Sequence, residues 1–185
     1  MFVAIRLPEE VVDTLDRFVE PRRDVDSTLR WSRREQWHIT LAFMPDVSDH
    51  ALDGLLERLR GTAATAKRFE LSLAGAGAFP NAFKAKVLWT GVAGGVDELT
   101  HLAGNVRSAC ARSGAGVEGG EYRPHLTLAR LNRPIDVTRW LRIFELFQSE
   151  TWPAGSITLF QSHLGHGPAR HQIIEEFPFG ASPES

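Results

Sequence analysis

The sequence predicts an α+β fold of two similar lobes related by an approximate two-fold axis. The lobes are built mainly of antiparallel sheets flanked by helices, with a groove between them. Three observations predict it. Apolar runs of strand length mix irregularly with helix-periodic segments, and several strands are adjacent, which disfavours a doubly wound parallel sheet. One pattern occurs twice, as His38-Ile39-Thr40-Leu41-Ala42 and His125-Leu126-Thr127-Leu128-Ala129. No linker or low-complexity segment divides the 185 residues, so the two lobes interleave in a single domain spanning residues 1–185.

Phe2 to Leu7 is an apolar run stopped by Pro8 and reads as a strand. Glu9 to Glu20 places Val11, Val12, Leu15, Phe18 and Val19 at helical spacing, with acids in the first turn and Pro21 at the end. Residues 21–36 are polar and Arg-rich and read as an exposed connection. Trp37 to Phe43 alternates as a strand closed by Pro45. Ser48 suits an N-cap for a helix carrying Ala51, Leu52, Leu55, Leu56 and Leu59 inward. Phe69 to Leu73 is a strand, followed by a loop at Gly75, Gly77, Pro80 and Asn81. Ala85 to Val92 is a strand broken by Gly94-Gly95, and Leu99, Leu102, Val106 and Ala109 mark a helix ending near Gly114. After a flexible loop over Gly114 to Gly120, Tyr122 to Leu131 holds a strand left at Pro134. Thr138 to Ser149 reads as a helix with Trp140, Leu141, Phe144 and Phe147 inward. Ser156–Leu164 and Gln172–Phe177 read as two strands joined by a Gly/His/Pro-rich turn, and the tail from Gly180 as loose.

Composition narrows the function classes. Apolar residues are 43% and charged residues 24%, a globular balance. A net charge of -2 excludes a general basic coat for nucleic acid but leaves room for a local basic patch. The lone Cys110 excludes a disulfide framework and a multi-thiolate zinc site, and fits a reducing compartment. No apolar run approaches the roughly 20 residues of a membrane span, and the N-terminus lacks the pattern of a signal peptide. The expectation is a cytoplasmic monomer.

The repeated pattern carries the chemistry. Random placement of this composition yields His-x-Thr-Leu-Ala roughly 0.005 times, so two copies call for a cause. Strand periodicity puts His and Thr of each copy on one face, with Ile39, Leu41 and Phe43, and Leu126 and Leu128, on the other, core-directed face. A lone strand His is usually structural and a strand Thr is simply a good strand former. Packing alone, however, does not retain both residues on the polar face of both copies. Two convergent imidazoles with pKa values near 6.5 can supply one acid and one base at neutral pH. Two Thr hydroxyls can hold the non-bridging oxygens of a phosphodiester. The residues alone do not say which histidine is acid and which is base.

The doubled motif resembles that of the two-histidine (2H) phosphoesterase superfamily. Phe2-Val3-Ala4-Ile5-Arg6-Leu7-Pro8, Trp37-His38-Ile39-Thr40-Leu41-Ala42-Phe43, Val87-Leu88-Trp89-Thr90-Gly91-Val92 and Arg123-Pro124-His125-Leu126-Thr127-Leu128-Ala129-Arg130 resemble its RNA 2′,3′-cyclic phosphodiesterase branch, the 2′-5′ RNA ligase family. The resemblance implies hydrolysis of RNA 2′,3′-cyclic phosphate ends, or of a cyclic nucleotide, to 2′-phosphomonoesters, with no cofactor, no metal and no obligate protein partner. It also implies reversible 2′-5′ joining of RNA. By the same resemblance His38 donates a proton to the departing 3′ oxygen, His125 activates water, and Thr40 and Thr127 hold the phosphate. Met44-Pro45 and Thr158-Leu159-Phe160-Gln161-Ser162 depart from the family pattern and leave base preference open. A non-catalytic RNA-end or nucleotide-binding module, and a 2H enzyme for another phosphodiester such as 2′-5′ oligoadenylate, remain as alternatives.

Other features are weighed against bland roles. Arg outnumbers Lys 18 to 3. Arg22, Arg23, Arg30, Arg33 and Arg34 precede the first motif, and Arg123, Arg130 and Arg133 surround the second. They read as a phosphate-binding rim or as a solvated face, the latter favoured for Arg22 and Arg23. The family carries Arg at 130, but strict alternation turns Arg130 away from His125 unless the strand bulges near Ala129. His163, His166 and His171 read as a substrate-contacting loop or adventitious metal binder in an exposed turn. His50 and His101 read as surface residues and Cys110 as a buried hydrophobe. Trp37, Phe79, Phe83 and Phe160 suit base stacking, with core packing the default. No Walker or dinucleotide motif is present.

Overall fold

The computed structural model describes residues 1–163 and 170–180. His166 and the tail beyond Gly180 lie outside the described residues. In chain order the elements are β1 (Phe2–Arg6), α1 (Glu9–Val19), β2 (Leu29–Trp31), β3 (His38–Phe43), α2 (Asp49–Thr65), β4 (Phe69–Phe79), β5 (Ala85–Ala93), α3 (Val96–Arg112), β6 (His125–Ile135), α4 (Thr138–Phe144), β7 (Trp152–Ala154), β8 (Ser156–His163) and β9 (Arg170–Pro178). The fold is α+β, as the sequence predicts. The strands form two sheets, ordered β3-β1-β8-β9 and β2-β6-β5-β4-β7, and every pairing in them is antiparallel.

The helices show why the halves interleave. α1 follows β1 of the first sheet but packs with the second. Its Val11, Val12, Leu15 and Val19 are buried. Phe18 meets Phe144 and Phe147 at ring distances of 5.3 and 5.1 Å. Conversely, α3 follows β5 of the second sheet but packs on β3 and α2, and α2 packs on β9 of the first. Each sheet thus has two helices behind it, and each half of the chain contributes to both. The opposite faces, which carry His38 and Thr40 on β3 and His125 and Thr127 on β6, are left to form the site.

Several boundaries differ from expectation, each for a physical reason. β2 and β7 were not expected. At three residues each they are too short to show a period, and they form by pairing Leu29–Trp31 to β6 and Trp152–Ala154 to β4. β4 runs on through Gly75 and Gly77 where a loop was expected. A shift in register between Leu73 and Ala76 absorbs Gly75 at φ +76°, a left-handed conformation that glycine adopts without a Cβ clash. Gly77 has Trp89 laid across it; a Cβ there would meet the indole at 2.0 Å. β6 starts at His125 rather than Tyr122 and continues past Pro134, whose neighbour Ile135 still pairs with Ala85. α4 ends at Phe144, although Phe147 is buried as expected.

Candidate functional site

Each His-x-Thr motif lies on a strand with a bulge at the same place. In β3, Thr40 pairs with Ala4 and Ala42 with Val3, leaving Leu41 as the extra residue. In β6, Thr127 pairs with Trp89 and Ala129 with Leu88, leaving Leu128 extra. A bulge breaks the alternation, so two consecutive residues turn inward. Leu41 and Ala42 are both buried, as are Leu128 and Ala129. The residues that follow, Phe43 and Arg130, rejoin the face of His and Thr. This corrects the expectation that Phe43 is core-directed: it is 38% exposed, while Ile39 and Leu41 are buried. It also supplies the bulge that Arg130 requires.

His38 sits half-buried in a ring-lined pocket on the first sheet. Phe2 stacks on it at 4.6 Å and Phe160 at 6.1 Å, while His171 meets it edge-on at 5.6 Å. Phe2 and Phe160 stack on each other at 4.9 Å, and with Ala4 they make a small buried apolar floor. Next to the floor Thr40, Ala4 and Thr158 form one cross-strand row. Thr158 is fully buried and its hydroxyl has no hydrogen-bond partner among the described residues. Burial pushes the His38 imidazolium down to about 4, and the charges of His171, His125 and Arg130 act the same way. A hydrogen bond to the Gln36 backbone opposes them.

His125 occupies the equivalent place on the second sheet. Its Nδ1 lies 2.7 Å from the carbonyl oxygen of Arg123, a contact an N–H donor satisfies. Both histidines are therefore tied to the backbone two residues upstream. Phe79 meets the His125 ring edge-on at 5.0 Å and Trp89 tilts over it at 5.9 Å. Burial holds the His125 pKa below the ordinary value, Arg130 adds to this, and the Arg123 carbonyl opposes it. β3 and β6 approach each other along the seam between the sheets. The Arg130 charge lowers the pKa of both imidazoles, and that of His125 lowers the pKa of His38, so the three groups interact across this seam. Thr40 and Thr127 are half-buried on the same faces.

Other sequence-identified residues fall elsewhere. Arg22 packs over the Phe18 ring at 4.0 Å, and Arg23 is tied to Asp16 at 2.9 Å and Glu20 at 2.8 Å. Arg34 binds Asp13 at 2.7 Å as well as Glu9, and Arg123 binds Glu121 at 3.0 Å. Their charges are spent on local structure. His50 and His101 are exposed, Cys110 is buried, and Trp37 is core. His163 faces Gln172 at 3.1 Å, whereas His171 lies in β9 against His38 rather than in a turn. Sequence reasoning missed Phe2 and Trp89 as walls of the site. Their signal was strand register beside each motif, which a single sequence does not display.

Two antiparallel sheets, each presenting one bulged His-x-Thr strand to a common groove, define a protein of the two-histidine phosphoesterase class. The family model described as "2'-5' RNA ligase superfamily" matches residues 9–166, and the chain belongs to that superfamily. Among curated relatives, the RNA 2′,3′-cyclic phosphodiesterase of Geobacillus stearothermophilus is 29% identical over 195 residues, covering 99% of this chain and 58% of that protein. The protein of the same name from Aeropyrum pernix is 38% identical over 97 residues, covering 52% of this chain and 54% of that one. The chain thus matches little more than half the length of these two relatives. The crystal structure of E. coli LigT complexed with 3'-AMP superposes with a TM-score of 0.78 at 24% identity, over 97% of each chain, a likeness of fold.

Proposed function

We propose that the chain hydrolyses RNA ends carrying a 2′,3′-cyclic phosphate to 2′-phosphomonoesters by two-histidine acid/base catalysis without a metal ion. The observation that carries this reading is the pair of backbone-tied imidazoles, His38 and His125, facing one groove with Thr40, Thr127 and Arg130. With its Nδ1–H given to the Arg123 carbonyl, His125 has Nε2 free to take a proton from an attacking water. His38, protonated, gives its proton to the departing 3′ oxygen. Thr40 and Thr127 donate to the non-bridging oxygens, and the Arg130 guanidinium offsets charge building on phosphorus. With the 5′ hydroxyl of a second RNA in place of water, the same displacement of the 3′ oxygen joins the two ends through a 2′-5′ linkage, His125 taking the hydroxyl proton and His38 protonating the 3′ oxygen.

The depressed pKa values fit this scheme once substrate charge is included. Burial and neighbouring cations keep His38 neutral in the free protein. A phosphodiester anion between the imidazoles opposes both effects and draws a proton onto His38, so the acid is assembled by its substrate. The names of the curated relatives support an RNA cyclic phosphate as that substrate. The reading includes action as a monomer in the cytoplasm, where the buried Cys110 thiol, pushed up to about 11, stays reduced and inert.

The test is incubation with a defined RNA ending in a 2′,3′-cyclic phosphate, in EDTA, with the product resolved by phosphorus NMR. A 2′-phosphate is expected. A 3′-phosphate contradicts the donor assignment, and tight binding without product supports a non-catalytic binding module instead.

A further inference from the structure

Among the arginines expected to form a phosphate-binding rim, Arg30 stands apart. In β2 it lies directly opposite Arg130 across the antiparallel pair with β6. Opposed residues in such a pair project from the same face, with Cβ atoms about 5 Å apart. The flanking residues confirm the phase: Leu29 is buried, and Trp31 packs backward onto Trp140 at 5.3 Å. Arg30 therefore stands on the groove face beside Arg130, and both are exposed. Neither makes an ion pair or side-chain hydrogen bond with another described residue. That contrasts with Arg6, Arg23, Arg34 and Arg123, each held by a carboxylate. Like charges directly opposed across strands destabilise a sheet. Two unpaired guanidiniums facing each other at the mouth of an anion-binding groove are accounted for if an anion bridges them.

We propose that Arg30 and Arg130 together form a second anion subsite that takes an internucleotide phosphate of single-stranded RNA. A 2′,3′-cyclic phosphate sits on the last nucleotide of its chain, so the next anion along is the phosphodiester at that nucleotide's 5′ oxygen. Across the bulge Thr127 pairs with Trp89 and Arg130 with Val87, so Arg130 lies two ladder positions beyond Thr127, about 7 Å along the sheet at about 3.3 Å per residue. That offset suits a neighbouring phosphate rather than the reacting one, with Arg130 reaching both. The preferred substrate is then an RNA oligomer, not a cyclic mononucleotide. This inference rests on the reading of the groove as an RNA-end phosphodiesterase.

The experiment compares kcat/KM for a 2′,3′-cyclic mononucleotide and for a short oligoribonucleotide with the same cyclic end, in wild type, Arg30→Ala and Arg30→Lys. Arg30→Ala is expected to lose at least tenfold more on the oligomer than on the mononucleotide, through KM. It should also flatten the salt dependence of oligomer kcat/KM by about 0.7 in log–log slope per lost phosphate contact. Arg30→Lys should recover part of the loss. The melting temperature of Arg30→Ala should not fall, because a repulsion has been removed. Equal losses on both substrates, or no loss on either, overturn the subsite. Anisotropy titration of an oligoribonucleotide bearing a 3′-phosphate provides a readout independent of turnover. If the wild type cleaves neither substrate, the phosphodiesterase reading fails, and the subsite stands or falls on whether Arg30→Ala weakens that binding.

Discussion

Acid should destabilise this protein through His38 in a calculable way. The folded imidazole is held neutral down to about 4 by burial, while an unfolded one has its ordinary value of 6.5. Between those values the unfolded state binds the extra proton, so stability is complete above pH 6.5 and falls as the pH drops toward 4. At about 1.4 kcal/mol per pH unit, the interval is worth about 3 kcal/mol. His125 and His171 are shifted the same way by burial and add to the slope. The assay is urea unfolding of wild type and His38→Gln at several values between pH 7.5 and 4. The variant should lose about 3 kcal/mol less than wild type across that range, whatever its stability at pH 7.5. Sulfate, which stays fully charged throughout, should stabilise wild type more at pH 5 than at pH 7.5, because an anion in the groove favours imidazolium. Parallel acid slopes in the two proteins, or a sulfate effect independent of pH, would refute the reasoning.

Other consequences follow from the same geometry. Thr127→Val removes a hydroxyl from the groove face while keeping shape, and kcat should fall by roughly 10²-fold with little change in melting temperature, the scale typical of one lost transition-state donor. Gly77→Ala places a methyl 2.0 Å from the Trp89 ring, so the indole beside His125 must move. Thermal unfolding should report a cost of about 1–3 kcal/mol, and kcat should drop with it. Cys110 is buried with its thiol pushed up to about 11, so a thiol reagent should label it only in denaturant. Rapid labelling of the native protein would place it elsewhere.

The part of the site legible in the sequence is the part that repeats. His38 with Thr40, and His125 with Thr127, announce themselves because two copies of one rare pattern in alternating strands demand a shared cause. The α+β class followed from element lengths and adjacency. The bulges were not legible from alternation, which assigns Phe43 to the core and turns Arg130 away. The sign of them is local: Leu41-Ala42 and Leu128-Ala129 are consecutive apolar residues at the same offset, and both members of each pair are buried. β2 and β7 escaped because three-residue strands have no period and exist only through their partners. The rings around the imidazoles escaped for a related reason. Phe2, Phe160 and Trp89 look like core residues in a list of hydrophobics, and only register places them beside His38 and His125. Likewise, expecting unperturbed imidazoles near 6.5 overlooked the desolvation that those rings impose.

The central claim is that two histidines divide the acid and base work on a cyclic phosphodiester. It is tested most directly by the rate at which His38→Ala and His125→Ala, each confirmed folded, open a 2′,3′-cyclic phosphate at the end of an RNA oligomer in EDTA. General acid–base catalysis is worth about 10² to 10⁴ per group, so each variant should fall at least 10²-fold in kcat. Either variant retaining wild-type turnover would contradict the account.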